Sequence, residues 1–196
     1  MKIVLASSNK HKVQEINEIV FGTGIEFILP PEGFDPEENG TTFEENSYIK
    51  AKEAWKLSKT WVLADDSGLC IDALNGKPGI YSARYAQTPA LRIERILKEM
   101  NGIQNRKAHF TCAMTLINPS GNVEFKYQGI CEGSIINEPK GTNGFGYDPI
   151  FLVKGDTRTM AELSEAEKNQ ISHRSKALAK VIEYLNTNII QIASKK

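Results

Sequence analysis

Short apolar runs alternate along this chain with segments in which apolar residues return every three or four positions. Ile3-Val4-Leu5-Ala6 is an unbroken apolar run that predicts a buried strand, and after the polar break Ser7-Ser8-Asn9 the residues Val13, Ile16, Ile19 and Val20 recur at helical spacing. Ile25 to Leu29 predicts a second strand, followed by a loop rich in Pro, Gly and Glu from Pro30 to Thr41. Thr42 with Glu45 forms a capping-box pattern that opens a helix carrying Phe43, Ala51, Ala54, Trp55 and Leu57. Trp61 to Ala64 and Leu69 to Leu74 read as strands on either side of a turn at Asp65-Asp66-Ser67-Gly68, and Asn75-Gly76 and Pro78-Gly79 mark further turns.

Thr88-Pro89 starts a helix through Met100, with Leu91, Ile96 and Leu97 apolar. His109 to Ile117 and Val123 to Ile136 surround Asn118-Pro119-Ser120-Gly121-Asn122, which predicts a long hairpin, and Ile150 to Val153 is another strand. Ser164 with Glu167 repeats the capping-box pattern, and Ala177, Leu178, Val181 and Leu185 give the last helix its apolar face. This order of strands and helices predicts an α/β fold without internal repeats, organised as one domain over residues 1–196.

Composition narrows the function classes. Lys+Arg and Asp+Glu both number 24, so the chain lacks the cationic excess that holds a nucleic acid by its backbone, and no nucleic-acid partner is expected. The apolar stretches are strand length and interrupted, and Met1 to Ala6 is too short for the apolar core of a signal peptide, so a soluble cytoplasmic protein without a membrane partner is expected. Cys70, Cys112 and Cys131 are odd in number and widely spaced, which predicts buried thiols outside any disulfide, and the scattered His11, His109 and His173 give a zinc site little support.

Five clusters carry candidate chemistry. Strand, polar turn and helix at Ser7-Ser8-Asn9-Lys10-His11-Lys12 bring hydroxyls, an amide, helix-start N–H groups and two ammonium groups together, all of which favour a bound phosphate; a capped helix with solvated lysines fits the same residues. Glu37-Glu38 could reach a metal from the long loop or be merely solvated, and Lys50 sits within a helix where surface lysines are common. Asp65-Asp66 places two carboxylates after an apolar strand, facing opposite sides if the strand alternation continues. Gly141-Thr142-Asn143-Gly144-Phe145-Gly146-Tyr147-Asp148-Pro149 suits close backbone approach to a flat ligand with an aromatic face stacking on it, although Phe145 and Tyr147 could also plug a core turn. In Ile171-Ser172-His173-Arg174-Ser175, Ser172 caps a helix or His173 and Arg174 meet a base edge or a phosphate.

Taken in order, Ser8 to Lys12, Glu37 to Phe43 with Glu45-Asn46, Ala64 to Gly68, Pro78 to Tyr85, Gly141 to Pro149 and Ser172-His173-Arg174 resemble the inosine triphosphate pyrophosphatase family, the Ham1-like XTP/dITP diphosphatases, along the whole chain. Two departures stand out: the glycine pair usual in the aromatic loop reads Asn143-Gly144, and the segment after Tyr85 is short. The resemblance implies an elongated two-lobed α/β fold around a curved mixed sheet flanked by helices, with the site in the cleft between lobes, in a homodimer. It implies hydrolysis of ITP, dITP or XTP to the monophosphate and pyrophosphate with Mg2+ as cofactor, cleansing the nucleotide pool. Carried over residue by residue, Ser7, Ser8, Asn9, Lys10, His11 and Lys12 would hold the triphosphate with Lys50 and Lys168, and Ser67 would contact substrate. Glu37 and Asp66 would bind magnesium, with Glu38 assisting. Phe145 would stack on the purine, Gly146, Tyr147 and Asp148 would line its pocket, and His173 and Arg174 would meet its polar edge. Asp66 is then the catalytic carboxylate, which orients the attacking water and takes its proton. The alternative that the residues leave open is a nucleotide-binding regulatory module without hydrolysis; a Walker phosphate loop and the kinase signatures are absent from the sequence.

Overall fold

The structure is a computed structural model that describes residues 1–8 and 10–190, the side chains of Lys10, His11, Gln14, Glu15 and Ile190 excepted. Its strands are β1 (Lys2–Leu5), β2 (Glu26–Ile28), β3 (Val62–Ile71), β4 (Lys107–Ile117), β5 (Val123–Ile135) and β6 (Phe151–Val153). Among the described residues five α-helices accompany them: α1 (Lys10–Ile19), α2 (Phe43–Ser58), α3 (Pro89–Glu99), α4 (Glu165–Ile171) and α5 (His173–Leu185). The strands form one mixed sheet in the order β2-β1-β3-β4-β5-β6, as an α/β fold requires. Among the described residues no helix is long and apolar enough to cross a membrane.

The chain divides into two compact units: residues 1–66, 113–128 and 177–196, and residues 67–112 and 129–176. In the first, β1 pairs in parallel with β2 on one side and with β3 on the other, with Val4 opposite Val62 and Leu5 opposite Leu63. The chain therefore crosses from β1 to β2 through α1 and from β2 back past β1 to β3 through α2. Right-handed crossovers in opposite directions place the two helices on opposite faces and open a switch point at the carboxyl end of β1, where ligands of such sheets bind. Val4, Ala6, Val62 and Ala64 pack with Ala51 and Ala54 of α2 in one buried cluster, which fixes the even-numbered face as the α2 face.

The predicted turn at Asp65-Asp66-Ser67-Gly68 does not form. β3 runs unbroken through it, because Val62, Leu63, Ala64 and Leu69 are fully buried and a turn there would leave buried backbone groups without ladder partners. The expected hairpin is present, closed over Asn118–Asn122 by the Asn118 N–H on the Asn122 carbonyl at 3.0 Å. Of the two capping boxes one forms completely, at Ser164 and Glu167. At Thr42 the hydroxyl accepts the Glu45 N–H at 3.1 Å, and the Glu45 carboxylate bonds mainly to the N–H and hydroxyl of Thr41, at 2.6 and 2.8 Å.

The second unit is built around Leu69, Ile71, Ile96, Met100, Phe110, Phe151, Ile150 and Met160, with α3 capped by Thr88 and started by Pro89 as predicted. Cys112 and Cys131 are buried and Cys70 is half-buried. The turn after β6 is tied to α4 by Arg158, which grips Asp156 through two N–H groups at 2.9 and 3.1 Å and reaches Glu167 at 2.8 Å. These bonds hold the carboxyls of Asp156 and Glu167 down at about 2. A carboxyl whose folded pKa is depressed contributes stability that is present above its unfolded pKa and lost as pH falls toward the folded value. The melting temperature of the wild-type chain should therefore fall more steeply from about pH 4.5 to about pH 2 than that of Arg158→Ala, measured by thermal unfolding across that window; equal slopes would remove this triad from the acid response.

Candidate active site

The two adjacent carboxylates occupy the switch point of the first unit. Successive strand residues face opposite sides, and each carboxylate meets a lysine from a different helix. Asp65, 1% exposed, pairs with Lys12 of α1 at 2.5 Å. Asp66 Oδ1 accepts from Lys50 of α2 at 3.0 Å, and its Oδ2 accepts from Asn46 Nδ2 at 3.3 Å. Lys50 also lies 3.4 Å from Glu38 Oε2, so the carboxylates of Glu38 and Asp66 stand within reach of one ammonium group.

Electrostatics bind the cluster tightly. Burial opposes the charge on Lys50, but Asp65, Asp66 and Glu38 outweigh it and raise its pKa above the ordinary lysine value. For Asp66, burial raises the pKa and the charge of Glu38 adds to it, against the opposing pull of Lys50 and the Asn46 bond; the net direction is upward. Asp66 thus holds its proton more tightly than an ordinary aspartate while keeping two hydrogen-bond donors on its oxygens.

Beside this cluster the chain leaves β1 through Ser7, half-buried with its N–H on the Leu5 carbonyl at 2.8 Å, and the exposed Ser8. Asn9 and the side chains of Lys10 and His11 lie outside the described residues. Glu37 is exposed, whereas its neighbour Glu38 is the loop carboxylate beside Lys50. Among the described residues no group of three or more His, Cys, Asp and Glu side chains gathers closely enough to hold a metal by itself.

The aromatic loop organises the second unit's cluster. Asp148, buried, accepts the Phe145 N–H at 2.9 Å and the Lys168 ammonium at 2.6 Å on the same Oδ2. Gly144 and Gly146 have φ of +73° and +65°, the left-handed region that glycine adopts without strain, and a Cβ at Gly144 would run into that Asp148 carboxylate. The loop so folded separates its two aromatics. Tyr147 turns into the core and donates its hydroxyl to the Ser82 carbonyl at 2.9 Å, while Phe145 stands 59% exposed. Lys168 Nζ and the Arg174 guanidinium lie 4.5 and 5.6 Å from the Phe145 ring centroid. Asn143 anchors the loop's near end, its N–H on the Ala161 carbonyl and its Nδ2 on the Leu163 carbonyl, both at 3.0 Å.

Ser172 caps two helices at once: it ends α4, and its hydroxyl accepts the Ser175 N–H at 3.1 Å at the start of α5. That boundary sets His173 against Phe110, ring centroids 5.0 Å apart and stacked, and directs Arg174 toward the Ser67 hydroxyl at 3.5 Å. The second cluster thus presents one exposed ring flanked by two cations, a surface on which a flat ring could stack while its edge met N–H donors. Lys168, which the resemblance assigns to phosphate, stands with Phe145 and Asp148, and Lys50 stands with Asp66. The role that sequence reasoning passed over is that of Asn46; its signal was an amide one helical turn before Lys50, on the same face of α2.

The chain is similar to known proteins over nearly its whole length. The Ham1 family model matches residues 3–184. A dITP/XTP pyrophosphatase of Oceanobacillus iheyensis is 47% identical over 195 residues, covering 95% of this chain and 98% of that protein. One from Prochlorococcus marinus is 44% identical over 181 residues, covering 92% and 95%. Among solved structures, the Ham1 protein of Staphylococcus aureus superposes with a TM-score of 0.87 at 40% identity, covering 95% of this chain and 98% of that one. With a family model spanning most of its length and relatives matched nearly end to end, this chain belongs to the Ham1 family.

Proposed function

We propose that this chain is a nucleoside triphosphate pyrophosphatase that hydrolyses ITP, dITP and XTP to the monophosphate and pyrophosphate. The observation that carries the reading is the pairing of Asp65 and Asp66 with Lys12 and Lys50 at the carboxyl end of β1, in a chain whose relatives are dITP/XTP pyrophosphatases. The turn from Ser7 to Lys12, with Lys50, is the phosphate-holding part: ammonium groups and helix-start N–H groups offset charge on the leaving pyrophosphate. In the reaction a water oxygen bonds to the α-phosphorus, the bond from that phosphorus to the bridging oxygen breaks, and the water proton passes to Asp66. Lys50 and Asn46 hold the Asp66 carboxylate in place for that transfer.

Magnesium suits the donor set. It takes oxygen ligands, one or two carboxylates with phosphates and waters completing its shell, and Asp66 with a carboxylate of the Glu37–Glu38 pair supplies that many; Glu38 already shares the Lys50 ammonium with Asp66. When bound, the ion supplies positive charge to the phosphate oxygens. The Phe145 ring, held out by Asp148, is the stacking surface for the purine, and Lys168 and Arg174 are donors for its edge. Inosine and xanthine carry an acceptor oxygen at position 6 where adenine carries an amino group, so adenine would set donor against donor and leave buried groups unpaired. Homodimer assembly, implied by the family resemblance, and a cytoplasmic location, expected from the lengths of the apolar stretches, belong to the same proposal.

The purified chain incubated with ITP, XTP, dITP, GTP and ATP, with and without magnesium, should release pyrophosphate from the first three with magnesium and far less from ATP. Nucleotide binding without pyrophosphate release would overturn the reading. Asp66→Asn should lower kcat by about 10²- to 10⁴-fold with the fold retained at assay temperature by circular dichroism, and with a lowered melting temperature because buried Lys50 loses a carboxylate partner.

Because Asp66 must be ionised to accept a proton, and burial with the charge of Glu38 raises its pKa while bound magnesium would lower it, kcat/KM at limiting magnesium should fall with decreasing pH through a midpoint above the ordinary aspartate value, and that midpoint should move down as magnesium is increased. A profile flat down to pH ~3.9 would separate Asp66 from the acid limb. Phe145→Ala, which removes a mostly exposed ring, should raise the KM for ITP by about 5- to 100-fold with little change in fold, the range expected for one base stacked on one aromatic side chain. An unchanged KM would take the purine off this ring.

A further inference from the structure

The first turn of α2 carries an amide into the acidic cluster of the first unit. Asn46 is fully buried, and both ends of its side chain are committed: Oδ1 accepts the Gly40 N–H at 2.9 Å and Nδ2 donates to Asp66 Oδ2 at 3.3 Å. Gly40 offers a donor and the ionised Asp66 offers acceptors, so the amide fits in one orientation. Asn46 and Lys50 are four residues apart on one helix face, and they divide the Asp66 carboxylate between them, Lys50 on Oδ1 and Asn46 on Oδ2. Two donors, one per oxygen, fix the plane of the carboxylate as well as its position.

At its other end the amide grips the chain two residues beyond Glu38. A Cβ at Gly40 would lie 2.7 Å from Asn46 Oδ1 and 2.7 Å from Glu45 Cβ, so this approach requires glycine at position 40. A buried amide is costly unless bonded, and here each end is bonded to a different part of the cluster.

We infer that Asn46 is a positioning residue of the hydrolytic step, a single amide that sets the plane of the Asp66 carboxylate and at the same time pins the loop bearing Glu37 and Glu38 against it. The inference rests on the pyrophosphatase reading and assigns a role within that site to a side chain that meets Asp66 and not the substrate.

Two variants separate the ends of the amide. Asn46→Asp keeps an acceptor for the Gly40 N–H but has no amide donor for Asp66 and sets a second carboxylate beside it, whereas Asn46→Ala removes both bonds. For wild type and both variants, kcat and KM for ITP would be measured with hydrogen exchange of the backbone over residues 36–42 and the melting temperature. Both variants should lose about 10- to 100-fold in kcat with KM changed less than about 3-fold, the pattern of a misaimed reacting group with substrate binding retained. Exchange over 36–42 should accelerate in Asn46→Ala and stay near wild type in Asn46→Asp. An Asn46→Asp variant with wild-type kcat, or an Asn46→Ala variant with unchanged exchange, overturns the inference. A wild-type chain that releases no pyrophosphate overturns the functional reading instead, and the exchange comparison then decides by itself whether Asn46 pins the loop.

Discussion

Asp65 and Asp66 are drawn out of water within a strand whose residues Val62, Leu63, Ala64 and Leu69 are fully buried, and charges so placed must be met by cations within bonding distance. Much of the first unit follows from that demand. Strand alternation sends the two carboxylates to opposite faces, so one cation comes from α1 and the other from α2, and the crossovers of a parallel sheet in the order β2-β1-β3 put those helices where they are needed. Breaking either pair would leave an uncompensated buried charge, which is far costlier than losing an exposed pair. The arrangement is also the useful one for phosphate chemistry, since the pairing keeps two ammonium groups beside the carboxylates at the switch point of the sheet.

A second buried carboxylate organises the other unit in a similar way. Asp148 gathers the Phe145 N–H and the Lys168 ammonium on one oxygen, and the left-handed glycine at 144 is needed because a side chain there would occupy the space of that carboxylate. The result is an aromatic ring held outward although apolar rings ordinarily bury themselves. Tyr147, two residues on, follows the ordinary rule and seats its ring in the core with its hydroxyl satisfied. The two cations near Phe145 are held by bonds that do not involve the ring, Lys168 by Asp148 and Arg174 with Ser67, so the ring keeps an open face.

Much of this was legible in the chain. The strands, the helices with their Thr42, Thr88 and Ser164 caps, and the hairpin over Asn118–Asn122 follow from periodicity and turn chemistry, because these depend on residues close in sequence. The error at Asp65-Asp66-Ser67-Gly68 has the opposite cause. Local propensity favours a turn in that tetrapeptide, and the strand persists because its neighbours in the sheet supply ladder bonds that no local pattern announces. Asn46 was invisible as a functional residue for a similar reason: an asparagine in the first turn of a helix is unremarkable until Gly40 and Asp66 are brought to its two ends.

The sequence by itself determined the α/β character, the residue types that favour phosphate, metal and purine, and the family to which those motifs belong, since each is written in contiguous stretches. Tertiary structure decided which lysine answers which carboxylate, that Glu38 and not Glu37 stands beside Lys50, that Phe145 faces out while Tyr147 faces in, and that Lys168 sits with the aromatic loop. Those are choices among side chains of the same type at neighbouring positions, and only the direction in which a folded backbone points each one can make them.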